Sequence, residues 1–207
     1  MARQVFIDID TQIDFIDSDG ALFVPGAEEI RENLRALTNY ALENGVKIIA
    51  SADAHPADDT EFELFPPHCV QGMTGQKKIE ETSVVNTRVV KNTPTHVSPD
   101  NLLAQTDQIL LEKQTYDVFT NPNAINLVEA AGADEHIVYG VATDYCVKAA
   151  ALGLLAQGYR VIVVEDAIAA VTEETGKKAL ALMKEKGATF KRTHEVVGGA
   201  CKNWGRR

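Results

Sequence analysis

The chain has 207 residues, 45% hydrophobic and 24% charged, with 20 basic and 30 acidic side chains and a net charge of −10. That balance excludes a chain disordered throughout, because aliphatic residues suffice for a core. It also argues against nucleic-acid partners, whose phosphates an acidic surface repels. No apolar run approaches the ~18 residues needed to cross a bilayer, and the opening MARQVFIDID lacks the apolar stretch and cleavage site of a secretory signal. The expected compartment is therefore the cytoplasm, with no membrane partner.

In chain order, residues 5–9 (VFIDI) predict a strand. Residues 28–43 place Ile30, Leu34, Leu37 and Ala41 on one helical face, and Gly45 stops the helix. Strands follow at 46–51, 84–91 and 108–111, then a helix at 122–131 with Pro122 in its first turn. A strand at 136–141, a helix at 144–157, a strand at 160–164, a helix at 173–186 and a last strand at 188–191 complete the pattern. Strands alternating with helices imply βαβ units with right-handed crossovers, hence a three-layer α/β/α sandwich on a mostly parallel central sheet. The expected organisation is one domain over 1–207, interrupted around 53–83 by a long, poorly periodic, proline-containing loop. Such a loop in a compact fold is usually functional.

Ligands in open α/β sheets bind beyond the carboxyl ends of the strands. Asp10 ends the first strand, Asp53 and His55 follow the second, Lys113 follows the strand at 108–111, and Cys146 follows the strand at 136–141. Each alone has an ordinary explanation: a capping Asp, a solvated Lys, a packed Cys. Their convergence on one sheet edge is the functional signal. A cysteine at a helix start faces unpaired N–H groups and the positive dipole end, which favour thiolate. Residues two apart in an extended segment point the same way, so Asp53 and His55 can face one cation. His68, farther along the loop, extends that set, and Glu61 is a candidate fourth ligand with Glu63 as its competitor. Mixed His and carboxylate ligands suit zinc, manganese or iron. The three cysteines, Cys69, Cys146 and Cys201, form no disulfide framework.

Together these segments resemble the isochorismatase-like cysteine hydrolases, and among them the nicotinamidases. The resemblance is carried by Asp10-Thr11-Gln12-Ile13-Asp14-Phe15, Asp53-Ala54-His55, Pro66-Pro67-His68-Cys69, Lys113-Gln114-Thr115-Tyr116 and Gly140-Val141-Ala142-Thr143-Asp144-Tyr145-Cys146-Val147. It implies a catalytic triad of Asp10, Lys113 and Cys146, with Cys146 attacking an amide carbonyl to form a thioester. Asp10 would move the thiol proton to the departing ammonia, and Lys113 would hold the ion pair. The backbone N–H groups of Ala142 and Cys146 would form the oxyanion hole, next to a cis Val141–Ala142 peptide. The resemblance further implies one divalent ion, zinc before manganese or iron, on Asp53, His55, Glu61 and His68. A small-molecule amide would be the substrate, its slot lined by Phe15, Phe65, Tyr116 and Phe119, and homo-oligomers are common in the family.

One segment departs from the resemblance. Many nicotinamidases have a small residue after the tyrosine that follows the lysine, where this chain has Tyr116-Asp117-Val118-Phe119. That bears on the substrate more than on the chemistry, so another amide or ureide, such as a carbamoyl compound, is the alternative. Asp8 reads as a hydrogen-bonded strand residue, Cys69 as packing, and His96, His136 and His194 as structural or surface residues. The tail 201–207, with the chain's one Trp at 204, reads as a docking contact.

Overall fold

A computed structural model describes residues 2–198; the tail around Cys201 and Trp204 lies outside the described residues. The strands are β1 (Gln4–Ile9), β2 (Lys47–Asp53), β3 (Thr87–Val90), β4 (Gln108–Lys113), β5 (Glu135–Val141), β6 (Val161–Ala169) and β7 (Thr189–Lys191). The helices are α1 (Ile13–Ile16), α2 (Arg31–Asn44), α3 (Pro99–Gln105), α4 (Ala124–Ala131), α5 (Lys148–Ala156), α6 (Glu173–Glu185) and α7 (Thr193–Val196). The strands form one seven-stranded sheet in the order β3-β4-β2-β1-β5-β6-β7. Every adjacent pair is parallel.

The pleat of β1 sorts its side chains between two cores. Val5, Ile7 and Ile9 face α3, α4, α5 and α6 through Leu103, Leu127, Leu154 and Met183. Phe6 faces the other layer, where Leu34 and Leu37 of α2, Ile16 of α1 and Val196 of α7 close over it. The chain lays β2 to β4 on one side of β1, then returns to place β5 on the other. The order therefore reverses beside β1, and the crevice beyond the ends of β1 and β5 is the topological switch point where such sheets bind ligands.

The expected three-layer parallel architecture is the one observed, with local differences. β6 runs to Ala169 rather than stopping at 164, because its register with β5 shifts between Val138 and Gly140. Its polar extension has partners: Asp166 accepts from the amide and hydroxyl of Thr193, both at 2.8 Å, and its carbonyl accepts from Asn33. The helix expected over 144–157 divides into a π-helical turn, Thr143–Val147, followed by α5. β3 is shorter than expected, α4 begins at Ala124 rather than Pro122, and α3 was not anticipated. Asp8 is fully buried, accepting from Thr11 Oγ1 at 2.8 Å and pairing with Lys78 at 2.8 Å.

Candidate active site

β1 delivers Asp10 in a left-handed conformation, φ 48°, a region asparagine and aspartate tolerate better than most residues. That conformation turns the carboxylate inward, where Oδ1 accepts from Ser51 Oγ at 2.6 Å and Oδ2 lies 2.7 Å from Lys113 Nζ. Lys113, at the end of β4, is fully buried; it donates to Asp53 Oδ1 and to Cys146 Sγ, the latter at 3.7 Å. Cys146 sits in the π-helical turn, which the Ala142 carbonyl pins by accepting from the amides of Tyr145 (3.0 Å) and Val147 (3.1 Å). Gly140 lets β5 come this close to β1: at φ 112°, a Cβ there would lie 2.0 Å from the Ile9 carbonyl oxygen. The Val141–Ala142 peptide is cis.

Two carboxylates share one lysine, and their environments separate them. For Asp10, burial and the nearby Asp53 charge outweigh Lys113 and raise its pKa. For Asp53, burial also acts upward, but Lys113 and His55 overcome it and hold it below the usual carboxylate range. Asp10 is thus the group able to exchange a proton, and Asp53 stays ionised. Burial would depress Lys113, yet Asp10, Asp53 and Cys146 keep it well above the ordinary lysine value. The thiolate expected at Cys146 is corrected here. Burial pushes the thiol up, Lys113 pulls against it, and the carboxylates of Asp10 and Asp53 add to the rise. Its surroundings therefore favour the neutral thiol over the thiolate.

Asp53, His55 and His68 bring one ligand atom each within 4.8 Å of one another. Asp53 Oδ2 lies 3.8 Å from Nε2 of both histidines. His55 Nδ1 bonds Asp59 at 2.9 Å and His68 Nδ1 bonds the Pro66 carbonyl at 2.8 Å. Those acceptors hold the proton on Nδ1 and leave the Nε2 lone pairs facing Asp53. His55 Nε2 is buried with no hydrogen-bond partner among the described residues. An orphaned imidazole nitrogen facing an ionised carboxylate and a second imidazole fits a divalent cation. Glu61 is half-buried and lines the same cleft, whereas Glu63 is exposed and does not. Cys69 is buried outside the cluster, its thiol pushed far up by burial and the charges of Asp53 and Asp14.

Two residues of the first motif fix this loop in ways not anticipated. Gln12 Nε2 donates to the carbonyls of Asp53 (2.9 Å) and Gln76 (2.7 Å), and its Oε1 accepts from the Asp53 amide at 2.7 Å. Asp14 Oδ2 accepts from the Cys69 amide at 2.6 Å and Oδ1 from the Ala21 amide at 3.2 Å. A polar residue following a strand end was the available signal for both.

Cys146 opens into a cleft of about 700 Å³, counted to its mouth. Phe15, Phe65 and Tyr116 line it as expected, with Asp53, Glu61 and His68 on one wall. Phe119 is corrected: it turns to the opposite side of the sheet and joins the core. Asp117 caps the turn Val118–Thr120, and Gly153 of α5 makes room there, since a Cβ on it would meet the Phe119 ring at 2.4 Å. Leu22, Phe23, Val24, Tyr145 and Val171 line the cleft without having been anticipated. All but Tyr145, which lies in the π-helical turn, come from connecting segments with no periodic signal.

Fold and site together define a parallel α/β hydrolase. The chain belongs to the isochorismatase family, whose model, described as Isochorismatase domain, matches residues 4–195. It is 28% identical over 207 residues to the nicotinamidase of Escherichia coli (strain K12), an alignment covering 91% of this chain and 93% of that one. The pyrazinamidase of Pyrococcus horikoshii in complex with zinc superposes with TM-score 0.75 at 26% identity, over 92% of this chain and 99% of that one. The N-carbamoylsarcosine amidase of Thermoplasma acidophilum superposes with TM-score 0.72 at 27% identity, over 92% and 96%.

Proposed function

We propose that this hydrolase is a nicotinamidase that converts nicotinamide to nicotinate and ammonia, within pyridine nucleotide salvage. The observation that carries the reading is the contact of Asp10, Lys113 and Cys146 at the floor of an aromatic cleft that also holds the Asp53, His55 and His68 cluster. Asp10 takes the Cys146 proton as Sγ attacks the amide carbon. The backbone N–H groups of Ala142 and Cys146 receive the developing oxyanion. Asp10 then gives the proton to the leaving nitrogen, the C–N bond breaks, and ammonia departs. Water, deprotonated by the same carboxylate, hydrolyses the thioester and restores the thiol. Lys113 stays charged throughout and stabilises the Asp10 carboxylate. Asp53, His55, His68 and Glu61 would hold a divalent ion, zinc before manganese or iron. Bound there, such an ion would supply a Lewis-acidic position suited to a pyridine nitrogen.

The lining of the cleft favours this reading over the ureide alternative. Among the described residues its carboxylates are Asp53 and Glu61, and no lysine or arginine lines it. Beyond the ion proposed at Asp53, His55 and His68, an acid-bearing amide or ureide meets no lysine or arginine among the described lining residues, whereas a neutral planar ring meets Phe15, Phe65 and Tyr116. The test is ammonia release from nicotinamide by purified protein, before and after chelation and zinc add-back, with Cys146→Ala as control. Release that falls on chelation and is absent in the variant is expected. If metal-loaded, folded protein releases nothing, the substrate is not a pyridine amide, and a panel of carbamoyl and ureido compounds decides the alternative.

A further inference from the structure

The two oxygens of the Asp10 carboxylate are not equivalent. Oδ1 accepts from Ser51 Oγ at 2.6 Å, and both residues are fully buried. Oδ2 is buried, touches Lys113 at 2.7 Å, and receives no aligned hydrogen bond among the described residues. The lysine's aligned donations go to Asp53 and Cys146. Ser51 grips Asp10 a second time through the backbone, its carbonyl accepting from the Asp10 amide at 3.3 Å. The amide so held belongs to the residue in the left-handed conformation.

From this geometry we propose that Ser51 is a positioning residue that fixes the orientation of the Asp10 carboxylate for proton exchange with Cys146. The inference rests on the reading of Asp10 as the base. An ionised carboxylate only accepts, so the serine hydroxyl must donate to it. That donation, at 2.6 Å, fixes the plane of the carboxylate, and Asp10 is the hydroxyl's only hydrogen-bond partner among the described residues. Oδ2 meets Lys113 Nζ at 2.7 Å, so serine and lysine hold the carboxylate from its two oxygens. Without the hydroxyl the carboxylate is free to turn about its terminal torsion, and the productive alignment with the thiol is lost.

The experiment measures kcat and KM for nicotinamide hydrolysis in wild type, Asp10→Asn, Ser51→Ala and Ser51→Thr, with metal content determined for each. Wild-type turnover that disappears in Asp10→Asn establishes the base before Ser51 is judged; an active Asp10→Asn removes the base reading and this inference with it. Given the base, Ser51→Ala should lower kcat roughly 10- to 100-fold, with KM and metal content unchanged, and Ser51→Thr, which keeps the hydroxyl, should restore most of the rate. A Ser51→Ala enzyme as fast as wild type overturns the proposal. So does a loss that appears in KM or in bound metal, because the serine then acts through Asp53, two residues along the strand. Should Ser51→Ala not fold, Ser51→Cys, which keeps the volume but donates far more weakly, carries the same expectation.

Discussion

Lys113 is a fully buried cation whose Nζ contacts Asp10 and Asp53 together. Removing it leaves two carboxylates in the interior with no counter-charge. Breaking such a buried pair costs about 3–5 kcal/mol, mostly as the penalty of the stranded charge. Lys113→Met should therefore lower the unfolding free energy of metal-free protein, read from urea titration, by that order and slow alkylation of Cys146 by iodoacetamide; an unchanged free energy would refute the pairing. His136 is the opposite case, a buried imidazole with neither ring nitrogen partnered among the described residues, its ring tilted by 44° against Tyr159 at 4.6 Å between centroids. Burial holds its pKa below the ordinary histidine value. The unfolded chain then binds the proton more readily. The contribution is fully present above the unfolded pKa, near 6.5, and is lost as pH falls towards the folded pKa. His136→Leu should lose less stability than wild type between about pH 7.5 and about pH 5.5, and equal losses in urea titrations would contradict this. At this scale the sequence was informative where spacing speaks directly: two-residue alternation put Asp53 and His55 on one side. It was silent where a turn decides orientation, as for Phe119. It misled at Cys146, where burial and two carboxylates outweigh the helix terminus.

Among elements, the strands were legible as apolar runs, and their ends were legible because chemistry-bearing residues follow them. The path of β6 beyond Val164 was not, since Glu165 and Asp166 break the apolar run while a register shift keeps the strand paired. The π-helical turn has no sequence signature separating it from the first turn of α5. α3 did carry a signal, the Ser98 cap followed by Pro99, but its short apolar segment has too little periodicity to stand out. The close approach of β5 to β1 is an element-level requirement for the site, because it brings the Cys146 turn beside Asp10. Gly140→Ala puts a Cβ against the Ile9 carbonyl in a backbone region that L side chains avoid. It should cost on the order of 10²-fold or more in kcat through misalignment alone. Gly158→Ala is the control: also at positive φ (84°), its Cβ meets nothing within 4 Å. It should lose a little stability and keep the rate. Equal rates in the two variants would remove the close approach as a condition for activity.

For the molecule as a whole, the sheet supplies Asp53 and the long loop supplies His55 and His68, so a bound cation ties loop to sheet. The loop already closes on itself through His55 N–H to the Cys69 carbonyl (3.2 Å) and Gln71 N–H to the His55 carbonyl (2.9 Å). It is anchored to α1 through Asp14. Cys69 and Ile79 pin it to the core by burial, and the segment around His55 and His68 rests on these polar ties and on whatever occupies the cluster. A ligand that binds the folded chain alone stabilises it by mass action, about 2.7 kcal/mol at 100 times its Kd. For a chain of this size that corresponds to a rise of roughly 5–10 °C in Tm. Zinc added to chelated protein should produce a shift of that order, and His55→Ala should abolish it by removing the orphaned Nε2. Cys146→Ala should keep it, because the thiol stands outside the ligand cluster. This comparison separates the cation's part in the fold from its part in turnover, since Tm is read without substrate. A Tm indifferent to zinc and chelator in wild type, or a full shift surviving in His55→Ala, would show that the three residues face one another for a reason other than a cation.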